Sequence, residues 1–446
     1  MHIDFLIKIF QENKDRVAII WKEKSFSYEW LANRIDYWED EFKRLYIEPG
    51  EIVALIGDFS PECISIMLAL IENANIIVPL NNFSKENLSN KLSISQSEKI
   101  IYVDDSDIIT HNNLNIKAVH NYYSDLREKK VAGLVLFTSG TSGVPKAAVH
   151  NFPKLLEKYK TPRKALKTIN FLMFDHWGGL NTMIHTLSNV GIVLATKDRS
   201  PDAVCAFIEK HKIELLPASP TFFNLLIISS AYINYNMSSL KIISYGTEPM
   251  PMNTLLKLKE IFPLVKLQQT YGLIELGVLR SKSMSNDSLW VKVGGDGYQI
   301  RIINGILQIK AESAMLGYLN AASPFTDDGW FITGDSVEVK GEYIKILGRK
   351  SEMINVGGEK VYPQEIENII LELENVKEAT VYGEKNPIIG NIVCVKITLM
   401  RPEEKKIFIN RLKKYCTSKL KSYMVPVKVL IQEGDQYTER YKKLRN

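Results

Sequence analysis

The chain has 446 residues, 45% of them hydrophobic and 24% charged, with a formal net charge of +5. That length exceeds one compact core and fits two or three domains, while the composition is that of a globular protein and excludes fibrous and low-complexity classes. So modest a positive balance permits anionic ligands but gives no signal for nucleic acid.

Cys63, Cys205, Cys394 and Cys416 are scattered without C-x-x-C spacing. They read as reduced thiols of a cytosolic protein, not as a disulfide frame or a zinc site. The opening MHIDFLIKIFQENKDR lacks the apolar core of a secretory signal. The longest apolar run, Ile64 to Leu80, is interrupted by Glu72, Asn73 and Asn75 and reads as a core helix followed by a strand, short of a membrane span.

Up to about Gly50 the pattern is an amphipathic segment, a hairpin-like AIIWKEKSFSY and the helical EWLANRIDYWEDEFKRLY. IVALIGD, PECISIMLALIENA and NIIVPL then make strand, helix and strand, the crossover unit of a parallel sheet. KENLSNKLSIS and KIIYVDD repeat the alternation. Next comes LVLFTSGTSGVPKAAVH, from Leu134 to His150: an apolar strand, a break rich in Gly, Ser and Thr, and a return to strand. Small residues let backbone N–H groups approach an anion closely. The hydroxyls of Thr138, Ser139, Thr141 and Ser142 add donors, and Lys146 adds a charge. A polyphosphate with its metal suits this loop; an ordinary polar surface loop is the alternative. It is not G-x-x-x-x-G-K-[ST], since no Ser or Thr follows Lys146.

Further on, FLMF reads as a buried strand, GLNTMIHTLSNV as a helix and GIVLAT as a strand, with His176 just past a strand end, where ligand sites of parallel sheets collect. From position alone that His is either structural or chemical. PDAVCAFIEKHKIELLPASPTFFNLLI gives helix, strand, turn and helix, and LKIISYGTEPMP and VKLQQTYGLIELGV are strands breaking into loops that can face one crevice. From Trp290 to about Lys345, closely spaced alternating strands suggest a small distorted β-barrel. The remainder, about a hundred residues, reads as a small α+β domain.

TSGTSGVPK resembles the phosphate-binding signature of the adenylate-forming enzymes, which include acyl-CoA synthetases, peptide-synthetase adenylation domains and luciferases. SFSYEWLA, GEIVALIGDFSPE, SYGTEP, QQTYGLIELG, DGWFITGD, GRKSEMINVGGEKVYPQEIE and LKSYMVP resemble further family stretches, in family order, over nearly the full chain. The resemblance implies an α/β fold. Residues 1–349 would form an N-terminal domain of stacked, mostly parallel sheets with flanking helices, including the barrel at about 290–347, and 350–446 a mobile α+β C-terminal domain. It implies ATP-dependent adenylation of a small-molecule carboxylic acid with magnesium, then acyl transfer to a thiol, CoA above all. A carrier-protein phosphopantetheine is the alternative acceptor, and a non-catalytic nucleotide-binding homologue the second alternative. Acids of fatty acid metabolism fall within the class; nucleic acid and membrane insertion do not.

Residue by residue, the resemblance assigns Thr138, Ser139, Gly140, Thr141, Ser142, Gly143 and Lys146 to the ATP phosphates, with Thr138 and Glu275 on the metal. Tyr245, Gly246, Thr247 and Glu248 would border the adenine, and Thr270, Tyr271 and Gly272 the base, with the Tyr271 ring packed on it. Asp335 would take the ribose hydroxyls, and Arg349 the ribose or phosphate. His176 would lie near the reacting carboxylate; Asp175 beside it keeps open the peptide-synthetase pattern, in which an Asp pairs with an α-amino group. The acid pocket would include Trp177, Asn181, Ser219, Phe222, Tyr245 and Leu276, a partly polar set that disfavours very long alkyl chains. Gly357, Gly358 and Lys360 would face the pantetheine arm. Aligning Thr438 with the family's closing Thr makes Lys442 the catalytic lysine, with Lys443 its neighbour and Tyr441 where Gly is usual. Two further departures are Ile274 where the family has Thr and Ser351 at the expected hinge.

Overall fold

A computed structural model describes residues 2–81, 85–138, 144–387, 390–434 and 436–437. Two seven-stranded sheets carry most of the chain. In one, Lys266–Gln269, Ile242–Tyr245, Leu215–Ala218, Lys167–Ile169, Ile192–Leu194 and Val17–Trp21 run parallel, and Lys24–Ser27 closes the edge antiparallel. In the other, Gly133–Thr138, Ile76–Leu80, Ile52–Ile56 and Lys99–Val103 are parallel, with antiparallel strands at both edges. The helix Pro61–Glu72 is buried over nearly its whole length between them, which is why its sequence is apolar all round. Its Ser60 hydroxyl accepts from Cys63 N at 3.2 Å, capping the start beside Pro61. One core cluster spans both sheets through this helix, from Leu55, Ile77 and Leu134 to Ile19 and Val193.

The closely spaced strands after residue 280 form a six-stranded antiparallel sheet, not the expected barrel. Its end strands, Arg280–Ser283 and Tyr298–Ile303, do not pair with each other among the described residues. The apolar face is covered instead by Tyr271, Leu276 and Tyr318, so the sheet buries its core without closing on itself. From Ile354 onward a five-stranded sheet with the helices Pro363–Ile370 and Lys405–Lys419 encloses a core cluster of its own. No described helix is long and apolar enough to cross a membrane.

One expected strand is absent. The strand ahead of His176 is Lys167–Ile169, and FLMF runs on as loop and turn. Its backbone is occupied elsewhere: a Cβ on Gly179 would come within 2.3 Å of Met173 O and 2.7 Å of Leu172 O. The helix Trp177–Ser188 thus packs its first turn directly on this loop, which fixes His176 at its N-cap. Gly179→Ala is expected to lower stability by about 1–3 kcal/mol through this overlap, measured as a lower urea midpoint at unchanged slope.

Candidate active site

A cavity of about 1200 Å³ opens where the parallel strands of both large sheets end and the antiparallel sheet and C-terminal segment face them. Such a crevice at the carboxyl ends of parallel strands is where open α/β sheets bind ligands. The hairpin Gly133–Thr138 and Lys146–Asn151 delivers Thr138 and Lys146 to it as direct cross-strand partners. Ser139, Gly140, Thr141, Ser142 and Gly143 lie outside the described residues, as does Lys442. Lys146 Nζ sits 5.5 Å from the centre of the Tyr318 ring. The Tyr318 hydroxyl in turn donates to Glu275 Oε1 at 2.6 Å, so cation, phenol and carboxylate form one contiguous group. Among the described residues no three His, Cys, Asp or Glu side chains cluster to hold a metal. Glu275 and Thr138 both line the cavity, and a single carboxylate suits magnesium, which is commonly held by one or two carboxylates and substrate phosphates.

Asp335, which also lines the cavity, is only 6% exposed and is held by two donors. The Tyr271 hydroxyl donates to Oδ2 at 2.6 Å, and Arg349 Nε approaches Oδ1 at 2.8 Å. Arg349 Nη1 also donates to Thr333 O at 3.1 Å. Burial pushes the Asp335 carboxyl upward, against the opposing pull of Arg349 and Tyr271. Since each carboxylate oxygen has two lone pairs, both retain capacity for a ligand hydroxyl. Tyr271 is therefore anchored by its hydroxyl as well as buried by its ring.

The loop after Ile242–Tyr245 approaches unusually closely: a Cβ on Gly246 would meet Thr270 Oγ1 at 2.4 Å. Thr247 next to it has φ +70, a conformation β-branched residues rarely adopt and which accumulates at ligand sites. Glu248 accepts from Thr221 Oγ1 at 2.7 Å. All five, with Gly272, line the cavity.

His176 lines it too, with Nδ1 accepting from Gly178 N at 3.0 Å as the helix cap. Asp175 is turned away and engaged: Asn81 Nδ2 donates to it at 2.8 Å and Lys91 Nζ lies 3.8 Å off. The assigned acid-pocket set divides. Trp177 and Asn181 line the cavity, whereas Ser219, Phe222, Tyr245 and Leu276 are in the core. Strand alternation explains Tyr245, since Ser244 and Gly246 on either side face the cavity. Ser219 caps the helix Pro220–Ser229, accepting from Phe222 N at 3.1 Å, and the Phe222 ring packs at a tilt against Phe171, centroids 4.5 Å apart. Ile274 lines the cavity while packing against two core clusters, which accounts for an apolar residue where a hydroxyl was expected. Gly357 and Gly358, with φ +60 and +92, form the exposed tip of the hairpin Ile354–Val356 and Glu359–Val361. They and Lys360 do not reach the cavity; from that domain Gln364, Glu367, Asn368, Gln436 and Tyr437 do.

Lys91, Tyr318 and Gln269 also line the cavity and were not picked out from the sequence. Lys91 had a signal: it follows Leu88 and precedes Leu92 on the helix Lys85–Ser95, where helical spacing calls for an apolar residue.

The chain belongs to the AMP-binding enzyme family. The profile described as AMP-binding enzyme matches residues 8–301, and that described as AMP-binding enzyme C-terminal domain matches residues 365–442. Among similar proteins, 2-succinylbenzoate–CoA ligase of Bacillus pumilus is 25% identical over 457 residues, covering 92% of this chain and 90% of the relative. Indoleacetate–CoA ligase of Aromatoleum aromaticum is 24% identical over 439 residues, covering 86% of this chain and 85% of the relative. The crystal structure of the anthranilate CoA ligase AuaEII in complex with anthranoyl-AMP superposes with a TM-score of 0.84 at 17% identity, covering 99% of this chain and 95% of that one.

Tyr271→Phe removes one of the two donors to a buried carboxylate. It should cost about 1.5–3 kcal/mol where Asp335 is ionised. The sign follows from the upward shift: as pH falls through the raised value Asp335 takes a proton in the fold, and the deficit shrinks. Urea denaturation of parent and variant at neutral and mildly acidic pH measures it.

Proposed function

We propose that this enzyme is an AMP-forming acid–thiol ligase that adenylates a carboxylic acid with ATP and passes the acyl group to CoA. One observation carries the reading. Lys146, Thr138 and Glu275 line a single cavity together with Asp335 and Arg349, the set of roles that a triphosphate and its ribose require. In this reading Lys146 holds the leaving phosphates, Asp335 takes the ribose hydroxyls, and His176 lies beside the reacting carboxylate. Thr138 and Glu275 would hold magnesium, which when bound neutralises phosphate charge. A carboxylate oxygen attacks the α-phosphorus, the acyl-adenylate forms and pyrophosphate leaves. A thiolate then attacks the acyl carbon and AMP leaves.

We assign the catalytic cation to Lys442. It follows Tyr437, a cavity-lining residue, by a few positions at no more than about 3.3–3.6 Å each, so the cavity is within its reach. We place the joint of the two domains at Arg349–Glu352. Rotation there would exchange the face bearing Gln364 and Glu367 for the Gly357-Gly358 hairpin, which then meets the thiol. The neutralisation of Asp175 by Lys91 and Asn81 argues against an α-amino acid as substrate, because that carboxylate is already matched. CoA as acceptor is supported by the names of the relatives; assaying CoA beside a phosphopantetheinylated carrier protein separates the two.

ATP–pyrophosphate exchange across a panel of carboxylic and amino acids tests the whole. Glu275→Ala and Lys442→Ala should each reduce exchange by at least about a hundredfold, the usual cost of removing a charge-stabilising group. Wild-type exchange in both variants would refute the assignment.

A further inference from the structure

Behind the cavity wall formed by the helix Trp177–Ser188 and the short strand Gly277–Val278 lies a cation without a counter-ion. Lys158 Nζ donates to Asn181 Oδ1 at 2.6 Å and to Val278 O at 2.8 Å. Both acceptors are neutral, and among the described residues no carboxylate pairs with Lys158. Burial, with Arg280 nearby, pushes its ammonium down to about 7. His185, one turn beyond Asn181 on the same helix, is pushed to about 4 by burial and by Lys158 and Arg163. Lys158 thus sits in a dry corner, over the Tyr159 ring at 4.8 Å, while Arg280 is paired with Asp296 at 2.8 Å.

The charge is presented to the cavity through its wall. Asn181 and Val278, the two groups that accept from Lys158, both line the cavity. The Tyr159 hydroxyl also donates to Asn181 Oδ1, at 2.8 Å. With that oxygen taken twice, the amide is fixed and Nδ2 is the donor left over, without a protein partner among the described residues. Trp177, one turn earlier on the same face, lines the cavity as well, and its Nε1 is buried with no partner. At about 1.5 Å of rise per residue, Asn181 lies roughly 7–8 Å along the helix axis from His176.

A dehydrated ammonium behind the unpartnered Asn181 Nδ2 gains most from a ligand that brings a negative charge, and an alkyl group there would leave that donor unmatched. We propose that the acid adenylated at this site carries a second acidic group at its far end, about one ring or short chain from the reacting carboxylate. Asn181 Nδ2 and the charge of Lys158 receive it. This rests on the ligase reading above and makes Lys158 and Asn181 specificity-determining residues.

The test is ATP–pyrophosphate exchange with two matched pairs, adipate against hexanoate and terephthalate against 4-methylbenzoate. The wild type should favour the diacid of at least one pair by about tenfold or more in kcat/KM, since a site built to pair a polar group discriminates strongly against its absence. Lys158→Met should raise the diacid KM by about tenfold with little change in kcat, which marks lost binding and not lost chemistry. Asn181→Asp, which supplies Lys158 with a carboxylate inside the protein, should also shift preference toward the methyl-ended acid. Preference of the wild type for the methyl-ended acids overturns the inference. So does a preference that neither variant changes, because Lys158 is then only a strut between helix and hairpin. Exchange with none of the four acids overturns it too. In that case a rise in Tm with ATP and magnesium leaves the ligase reading standing, and its absence removes both.

Discussion

A buried carboxylate has to be matched, and the way Asp335 is matched ties the molecule together. Its two oxygens are held by Tyr271, which follows the edge strand of a parallel sheet, and by Arg349, which ends the antiparallel sheet just before the second domain begins. The first contact spans 64 positions in the chain, and the second is a cross-strand pair of one hairpin. The cleft therefore keeps its shape only while the segment bearing Tyr271 and the antiparallel sheet bearing both Asp335 and Arg349 stay in register. A charge in so dry a setting would otherwise cost several kcal/mol, so the pairing constrains geometry more than it adds net stability.

Backbone constraints of the same kind surround the cavity. Gly246 is pressed against Thr270, Gly179 against the carbonyls of Leu172 and Met173, and Thr247 holds a left-handed conformation. Each removes freedom from a loop that would otherwise be soft, at the strand ends where a ligand has to be gripped. Ile274 contributes differently, by joining two apolar clusters at the point where the cavity passes between them.

Much of this was legible in the sequence because it is periodic or local. The parallel sheets follow from alternating apolar runs and helices, and the hairpin with Thr138 and Lys146 from its break in small residues. The same reading started the helix at Pro61 and ran it two residues past its end at Glu72. Errors arose where the deciding contact is distant. Tyr245 and Leu276 sit beside cavity residues, yet pleating and packing send their side chains inward. Ser219 is spent on a helix cap, and FLMF gives up its strand because Gly179 needs the backbone there. The barrel was inferred from strand spacing, which carries no information on whether end strands meet. Tyr318 became visible only once the fold placed it against Glu275, 43 positions away in the chain.

The antiparallel pairing of Thr138 with Lys146 has one last implication. Because the ladder itself sets the separation of these two residues, the backbone of Lys146 owes its place to the sheet and not to residues 139–145 that join the strands. Substitutions at positions 139–145 would leave the backbone of Lys146 where the ladder holds it. Evolution, or an engineer, could thus vary that segment without rebuilding the ladder.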